Sequence, residues 1–337
     1  MTMIGWSTWK LLAPRTCGSL ALMFLPLLLS FMGTAVWGQE AYPSKPIQIT
    51  VPYPPGGTSD LTARILSGKL GDLLKQSVVV VNKPGGGGAL GIQTIAAAKP
   101  DGYSVLTSPP GIVIVPLITP RTAFSLRDFT PVSLAVSTPN VITVKSDSPF
   151  KTFEDLVEYA RKNPGKLNFS SAGPGTTPHF AGELFKLETK TTITHVPMGG
   201  EAPAVAGLLG GHVELSLVSI GAVQKHLQAG TLRALATTYH KRLKDWPDVP
   251  TTNEKGYPAI LAVAWHGYFV PAKTPPDVAR KLEEAFATAL SDPGVIGLIE
   301  KAGMIVENLN AQAAARFLKE EEERWTRVAR AAGMLVP

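Results

Sequence analysis

Cysteine is nearly absent from this sequence. Among 337 residues only Cys17 carries a thiol, and it precedes a long apolar run near the N-terminus. A chain cleaved after that run contains no cysteine, which excludes disulfide bonds, thiol catalysis and cysteine-ligated zinc. The G-x-S-x-G, H-E-x-x-H and P-loop patterns are also missing. Because the six histidines show no metal-ligand spacing either, we expect no metal, no cofactor and no enzyme activity.

Charge is also sparse. Only 17% of the residues are charged, 45% are hydrophobic, and the formal net charge is +6. A positive charge this dilute excludes a nucleic-acid-binding protein, because such proteins concentrate lysine and arginine in patches. The hydrophobic content argues against intrinsic disorder. Glycine (32) and proline (29) are abundant, which indicates many loops within one large domain or two of ordinary size.

The first forty residues are typical of an export signal. Lys10 and Arg15 precede the uncharged run LALMFLPLLLSFM, which is interrupted by Pro26 and is shorter than the roughly 20 residues of a transmembrane helix. Small residues follow, and we predict cleavage after Gly38, which lowers the net charge to +4. An uncleaved membrane anchor is the alternative. No later stretch is long and apolar enough to cross a bilayer.

Strands, glycine turns and helices alternate in the first half of the chain. The β-branched segment IQITVPY, residues 47–53, predicts a strand, and an amphipathic helix follows the turn PPGG. The run 78–81 is continuously apolar, as in a strand buried on both faces, and it leads through glycines into another helix. A third strand is predicted at 103–108. This alternation indicates a parallel α/β sheet.

A second α/β region begins near residue 139. NVITVK predicts a strand, and the helix after it has Thr152 as N-cap with Asp155 three residues later, as in a capping box. Further strands are predicted in KLNFSS, TITHVP, VELSLV, LRALATT and AWHGYFVP. From Pro276 the tail is predicted to be nearly all helix. Two such regions place the natural ligand site in the cleft between them, beyond the carboxyl ends of the strands.

Four strand-to-helix turns are small and polar: 55–60, 85–88, 171–177 and 197–200. A glycine turn allows close backbone approach and directs free N–H groups and the positive end of a helix toward a ligand, so these turns favour an anion. Each charge-assisted hydrogen bond contributes about 1.5–3 kcal/mol. Four or five of them therefore suffice for micromolar binding without arginine or lysine.

Some residues of these turns have two interpretations. Asp60 is either a helix-stabilising carboxylate or a ligand contact. Thr177 and Pro178 are predicted as the N-cap and first residue of a helix, whether or not the hydroxyl also contacts ligand. The glycines of residues 86–91 satisfy G-x-G-x-x-G. The next acidic residue, Asp101, follows too soon for a ribose contact, so we do not favour a dinucleotide-binding dehydrogenase.

Longer motifs resemble a known family. The strings are VPYPPGGTSDLTAR, VNKPGGGGALGIQTIAAAKPDGYSVL, FSSAGPGTTPHFAGEL, THVPMGGEAPAVAGLLGGHVEL and WHGYFVPAKTPPDVARKL. They are similar to the Bug-type, or TctC, solute-binding proteins of tripartite tricarboxylate transporters. The motifs occur in the family's order and cover essentially the whole exported chain.

The resemblance implies a fold and its boundaries. The fold is α/β, a two-lobed type II periplasmic binding protein with two crossing hinge strands, to which PNVITVK and AWHGYFVP are similar. Residues 1–38 form the predicted signal peptide, and the resemblance assigns residues 42–143 plus 264–337 to lobe 1 and 144–263 to lobe 2. It also implies that main-chain N–H groups and ordered waters hold a ligand carboxylate in the cleft between the lobes.

The family's ligand loops, together with the strand ends beside them, predict the ligand-binding residues of this chain. These are Tyr53, Pro55, Gly56, Gly57, Thr58, Asp60, Gly87, Ser108, Ser171, Gly173, Gly175, Thr176, Thr177, Met198 and Ser219. The sequence departs from the family at Met198-Gly199, where an aromatic residue and lysine are frequent. It departs again at Val218-Ser219, where an acidic residue and asparagine are frequent. These departures predict a less polar pocket, suited to a bulky or aromatic carboxylate.

The predicted function is that of a periplasmic solute receptor. It binds a small carboxylate and delivers it to the membrane permease subunits of a tripartite tricarboxylate transporter. We expect a monomer that binds no nucleic acid. Two alternatives stay open: a ligand-binding module that feeds a sensor kinase, and a secreted hydrolase.

Overall fold

The computed structural model describes residues 42–336. The predicted export segment and its cleavage after Gly38 lie outside this range. Within it, two β-sheets share one long strand, and helices connect most of the successive strands. None of the helices between residues 42 and 336 combines the length and the apolar character needed to span a membrane.

Strands and helices alternate along the described chain. The strands are β1 (Ile47–Val51), β2 (Val78–Asn82), β3 (Ser104–Ser108), β4 (Phe129–Lys145), β5 (Asn168–Ser171), β6 (Thr194–Pro197), β7 (Leu215–Ser219), β8 (Leu232–Thr237), β9 (Val263–Pro271) and β10 (Ile305–Leu309). The helices are α1 (Thr58–Leu74), α2 (Ala89–Ala96), α3 (Gly111–Ile118), α4 (Phe153–Lys162), α5 (Thr177–Thr189), α6 (Glu201–Leu209), α7 (Ile220–Gln228), α8 (Pro276–Leu290), α9 (Pro293–Lys301) and α10 (Ala311–Ala331).

The two sheets have the same internal plan. In the first, β1 pairs in parallel with β2 and β3, and β9, β4 and β10 continue the sheet in antiparallel pairing. In the second, β5 pairs in parallel with β6 and β7, and β4 joins β7 and β8 in antiparallel pairing. The predicted parallel α/β arrangement is therefore confirmed for three strands in each sheet.

Strand β4 passes from one sheet into the other at Asn140. Residues 129–139 pair with β9, whereas residues 140–145 pair with β7 or β8. The Asn140 side chain donates to the carbonyl oxygen of Ala262 at 3.0 Å, and the Asn140 carbonyl accepts from the N–H of Thr238 at 3.0 Å. The chain thus returns to the first sheet at Ala262, just before β9. PNVITVK lies in β4 and AWHGYFVP lies in β9, while the lobe boundaries at 143/144 and 263/264 stay a prediction.

The apolar core extends beneath both sheets. One cluster of buried side chains includes Leu106 of β3, Phe169 of β5 and Trp325 of α10. The Trp325 ring meets the Phe180 ring of α5 edge to face, with 5.3 Å between the ring centroids. Helix α10 also packs against α3. The last helix therefore connects elements of the first sheet with an element of the second.

The structure departs from the predictions at two strands. Strand β2 is not buried on both faces: Val79 and Val81, which share one face, are partly exposed, and the strand lies at the edge of its sheet. The tail after Pro276 is mostly helix, as predicted, but the prediction missed β10, which separates α9 from α10 and pairs with β4. A continuous apolar run does not reveal whether both faces of a strand are covered, and the short segment IVENL carries little strand signal of its own.

The two predicted helix caps have different outcomes. The capping box of α4 is confirmed: Thr152 Oγ1 accepts from the N–H of Asp155 at 3.1 Å, and Asp155 Oδ2 accepts from the N–H of Thr152 at 2.9 Å. The N-cap of α5, however, is Thr176 rather than Thr177. Thr176 has an extended backbone, and its hydroxyl accepts from the N–H of His179. Thr177 is the first residue of the helix.

Candidate ligand-binding site

The predicted ligand loops lie at the carboxyl ends of parallel strands. In the first sheet, residues 52–57 connect β1 to α1, 83–88 connect β2 to α2, and 109–110 connect β3 to α3. In the second sheet, residues 172–176 connect β5 to α5, and 198–200 connect β6 to α6. Ligands of open α/β sheets bind beyond this edge.

Elements of the two sheets come into contact beside these loops. A Cβ built on Gly175 of the β5–α5 loop lies 3.2 Å from Ile118 Cδ1 at the end of α3. A Cβ built on Gly303, between α9 and β10, lies 3.3 Å from Gly221 Cα near the start of α7. A side chain at either glycine would require the neighbouring group to shift by a few tenths of an ångström.

The turn after β1 leaves the first turn of α1 without a side-chain cap. Gly56 has φ +87°, a conformation that favours glycine. Gly57 is the N-cap of α1, with an extended backbone. Because glycine has no side chain to accept from the first helical N–H groups, these donors are available to an anion. Pro55 is exposed in the turn, and Thr58 is half-buried as the first residue of the helix.

Asp60 is buried below this turn and is already engaged in hydrogen bonds. Its carboxylate accepts from the N–H of Gly56 at 2.9 Å, from Asn82 Nδ2 at 2.9 Å and from Arg64 Nε at 3.0 Å. The hydrogen bond from Arg64 holds the pKa of the Asp60 carboxyl below its usual range, against the effect of burial. Asn82 also donates to the Tyr53 carbonyl oxygen at 3.1 Å. These contacts make Asp60 the residue that holds the shape of the turn.

The Tyr53 hydroxyl lies between the starts of α2 and α3. A Cβ on Gly88 would lie 2.9 Å from this oxygen, and a Cβ on Gly111 would lie 2.6 Å from it, so a side chain at either position would displace the Tyr53 ring. Burial raises the pKa of Tyr53 to about 12, which keeps the hydroxyl protonated and able to donate. Gly87, with φ +66°, is exposed in the turn before α2. Ser108 is fully buried at the end of β3, where its hydroxyl donates to the Pro109 carbonyl oxygen at 3.0 Å.

Ser171 is part of a hydrogen-bonded network at the end of β5. Its hydroxyl oxygen accepts from the N–H of Gly173 at 3.1 Å and lies 2.7 Å from His195 Nε2. The His195 ring stacks on the His179 ring, with 4.1 Å between the centroids. Burial lowers the pKa of both imidazoles to about 4. Both rings are therefore neutral near pH 7.

The remaining turn residues of the second sheet have distinct roles. The Gly173 carbonyl accepts from the Thr176 hydroxyl at 2.7 Å, and the N–H of Gly175 points to His179 Nδ1 at 3.4 Å. Thr176 caps α5, and Thr177 is buried at the first position of that helix. The turn is therefore held by its own side chains.

Met198 and Ser219 have partners other than a ligand. The Met198 side chain packs against α6. A Cβ on Gly207 of that helix would lie 2.7 Å from the Met198 methyl carbon. The N–H of Ser219 donates to Glu201 Oε1 at 2.8 Å, and the Ser219 hydroxyl donates to Glu201 Oε2 at 2.7 Å. The sequence did not single out Glu201, which begins α6 directly after the glycine turn.

Two surface grooves lie away from these turns. One, of about 560 Å³, is lined by residues of α1 and the start of β2, including Ser67, Lys75 and Val78. The other, of about 430 Å³, lies beside α4 and includes Arg161 and Tyr257. Neither groove contains a predicted ligand-binding residue. Between residues 42 and 336 there is also no group of three His, Cys, Asp or Glu side chains that could hold a metal ion.

Comparison with known proteins identifies the family. A family model described as tripartite tricarboxylate transporter family receptor, TctC, matches residues 62–334. The chain belongs to this family. BugT of Bordetella pertussis is 33% identical over 300 residues, which cover 87% of this chain and 91% of BugT. TctC proteins are periplasmic solute receptors, so the predicted family is confirmed.

Solved structures of TctC relatives confirm the predicted fold class. The periplasmic binding protein BugD is 31% identical with a TM-score of 0.75, covering 87% of this chain and 99% of its own. A Rhodopseudomonas palustris protein with adipate is 31% identical with a TM-score of 0.77, covering 87% and 98%. MatC from the same species, with bound malate, is 28% identical with a TM-score of 0.74, covering 85% and 99%. The two-lobed α/β fold of this family is therefore the fold of this chain.

Sequence reasoning missed several residues that shape the TctC strand-end loops. His195 and His179 were treated only as histidines without metal spacing, although each lies in or beside a motif that resembles the family. Asn82 and Gly111 were not selected because their roles depend on partners far along the chain. A signal for Glu201 was available in the charge that follows the glycines at 199–200.

Proposed function

We propose that this chain is a periplasmic receptor that binds a small carboxylate through main-chain N–H groups and presents it to a membrane permease. The observation that carries the proposal is the uncapped first turn of α1 behind the Gly56-Gly57 turn, in a chain of the TctC family. Relatives with adipate and malate support a carboxylate as ligand. The receptor acts as a monomer, after removal of an export signal that ends near Gly38.

Helix ends supply the donors in this proposal. Helices α1, α2 and α6 begin after glycines and have no side-chain cap hydrogen bond. Each helix N-terminus contributes about 0.3–1 kcal/mol to binding of a negative charge, and more when it is partly buried. The Tyr53 hydroxyl adds a neutral donor beside α2 and α3. No arginine or lysine is required next to the ligand.

A secreted hydrolase fits the structure less well. Ser171 and His195 are the residue types of a nucleophile and its base, and they lie 2.7 Å apart. The Ser171 side chain, however, is fully buried, and its oxygen accepts the N–H of Gly173. A substrate carbonyl has no access to it, so we assign this pair to shaping the β5–α5 turn. The receptor binds its ligand without converting it.

The test is a direct binding measurement with a size-matched control. Gly57→Leu adds a bulky side chain at the N-cap of α1, where a Cβ itself has room. We expect calorimetry against a library of carboxylates to show micromolar binding by the wild type and at least tenfold weaker binding by Gly57→Leu. The control is Gly68→Leu, in the exposed middle of the same helix, which is expected to bind like the wild type.

Four outcomes would contradict the proposal. Binding of neutral compounds only would show that the ligand is not a carboxylate. Unchanged affinity of folded Gly57→Leu would show that the β1–α1 turn is not part of the site. Mass spectrometry that detects conversion of the bound compound would favour the hydrolase. Uptake that survives deletion of the protein would favour a role in signalling to a sensor kinase.

A further inference from the structure

Glu201 places a negative charge at the strand-end edge of the second sheet. It is the first residue of α6, and its carboxylate accepts the N–H of Ser219 at 2.8 Å and the Ser219 hydroxyl at 2.7 Å. Ser219 ends β7 and is paired with Asn140, the point at which β4 crosses between the sheets. The carboxylate is therefore fixed close to the connection between the two sheets, on the same edge as the predicted ligand turns.

The charge of Glu201 is not balanced by a cation. Among the described residues, no lysine, arginine or histidine forms an ion pair with it. Ser219 supplies two neutral donors, one to each carboxylate oxygen. A carboxylate can accept about four hydrogen bonds, so Glu201 retains the capacity to accept from a ligand.

We infer that Glu201 determines specificity: the site takes a monocarboxylate whose far end carries a hydroxyl or amino donor, and it disfavours a dicarboxylate. The inference rests on the proposed function, because the first carboxylate is assigned to the uncapped helix ends. A second carboxylate near Glu201 meets a like charge that is fixed by two hydrogen bonds. A hydroxyl or ammonium group instead donates to it.

The position of the Met198 side chain supports this assignment, because it leaves the Glu201 carboxylate uncovered. The Met198 side chain packs over Gly207 and the apolar cluster beneath α6, not over the strand-end edge. Gly199 beside it has open space around its Cβ position. No side chain from residues 198–200 therefore covers the Glu201 carboxylate or offers it a positive charge.

The experiment compares ligands that differ only at one end. The probes are 6-hydroxyhexanoate, 6-aminohexanoate and adipate, with the matched four- and five-carbon sets, measured by calorimetry on the mature chain. We expect the wild type to bind the hydroxy or amino acid at least tenfold more tightly than the dicarboxylate of equal length. In Glu201→Gln and Glu201→Ser we expect the dicarboxylate to gain tenfold and the preference to disappear.

A variant that removes a carboxylate elsewhere shows whether the ligand preference depends on the position of Glu201 or only on the net charge. Glu188→Gln removes the same charge near the end of α5 and is expected to keep the wild-type preference. Equal or tighter binding of the dicarboxylate by the wild type, with no change of the ratio in folded Glu201→Gln, overturns the inference and leaves the proposed function standing. Failure of the wild type to bind any carboxylate overturns both. The wild-type ratio decides the question even if the variants do not fold.

Discussion

At the scale of single residues, the polar groups around the predicted site divide into those with a partner and those without. Asp60, Ser171 and Ser219 each have hydrogen bonds within the protein. The first-turn N–H groups of α1 have no side-chain cap. In the site that we propose, most side chains hold the turns in shape, while the backbone and the Tyr53 hydroxyl are the donors to the ligand. This division is how the proposed anion site is built without arginine or lysine.

Asp60→Asn tests the role of Asp60 as the residue that holds the turn. An asparagine amide presents its NH₂ group to donors that the carboxylate accepted, so at least one of Gly56, Arg64 and Asn82 loses its acceptor. We expect urea unfolding to show a loss of about 1–3 kcal/mol, and calorimetry to show weaker carboxylate binding. Asp72→Asn, exposed on the same helix, is the control and should change stability by less than about 0.5 kcal/mol. Unchanged stability of Asp60→Asn contradicts this role.

At the scale of elements, the sequence predicts a feature well when its signal is local. The strand–turn–helix alternation, the capping box at Thr152 and the glycine turns each depend on neighbouring residues, and the structure contains all of them. Features that depend on distant partners were missed or wrong. The edge position of β2, the pairing of β10 with β4 and the contact of Glu201 with Ser219 cannot be read from local periodicity. The N-cap of α5 was predicted one residue too late, at Thr177 instead of Thr176, because two adjacent threonines carry the same signal.

The stacked imidazoles of α5 and β6 predict a pH dependence of stability. Burial lowers the pKa of His179 to about 4 in the folded chain, from an ordinary value near 6.5. Between these values the unfolded chain binds a proton that the folded chain does not, so stability falls as the pH falls through this window. His179 alone accounts for about 2 kcal/mol between pH 7.5 and pH 5.

Urea unfolding of His179→Gln at the two pH values measures this contribution. The variant should lose about 2 kcal/mol less than the wild type on acidification, because it has no imidazole to protonate. The comparison of wild type and variant cancels the contributions of titrating groups that do not contact His179; the His195 imidazole, which stacks on the His179 ring, is the exception. His240→Gln, at an exposed position, is the control and should keep the wild-type pH dependence. An identical loss in wild type and His179→Gln contradicts the prediction.

At the scale of the whole molecule, both sheets share a strand, a core cluster and a helix. Strand β4 belongs to both sheets, and α10 packs against α3 on one side and α5 on the other. The buried carboxylate of Glu321 joins α10 to β9: Oε2 accepts from Trp265 Nε1 and from Trp325 Nε1, each at 2.8 Å. Arg324 donates to Oε1 at 2.6 Å. Motion of one sheet against the other therefore has to preserve or rearrange these contacts.

Glu321→Gln tests how strongly the molecule depends on this connection. Burial raises the pKa of the Glu321 carboxyl, against the effect of Arg324, so the carboxylate depends on its three donors. A glutamine keeps the volume but turns an NH₂ group toward Trp or Arg donors. Removing one partner of a buried charged network costs about 3–5 kcal/mol, and we expect a loss of about that size in urea unfolding. Glu322→Gln, exposed on the same helix, is the control and should change stability by less than about 0.5 kcal/mol. If both variants unfold like the wild type, α10 is not held to β9 by this network.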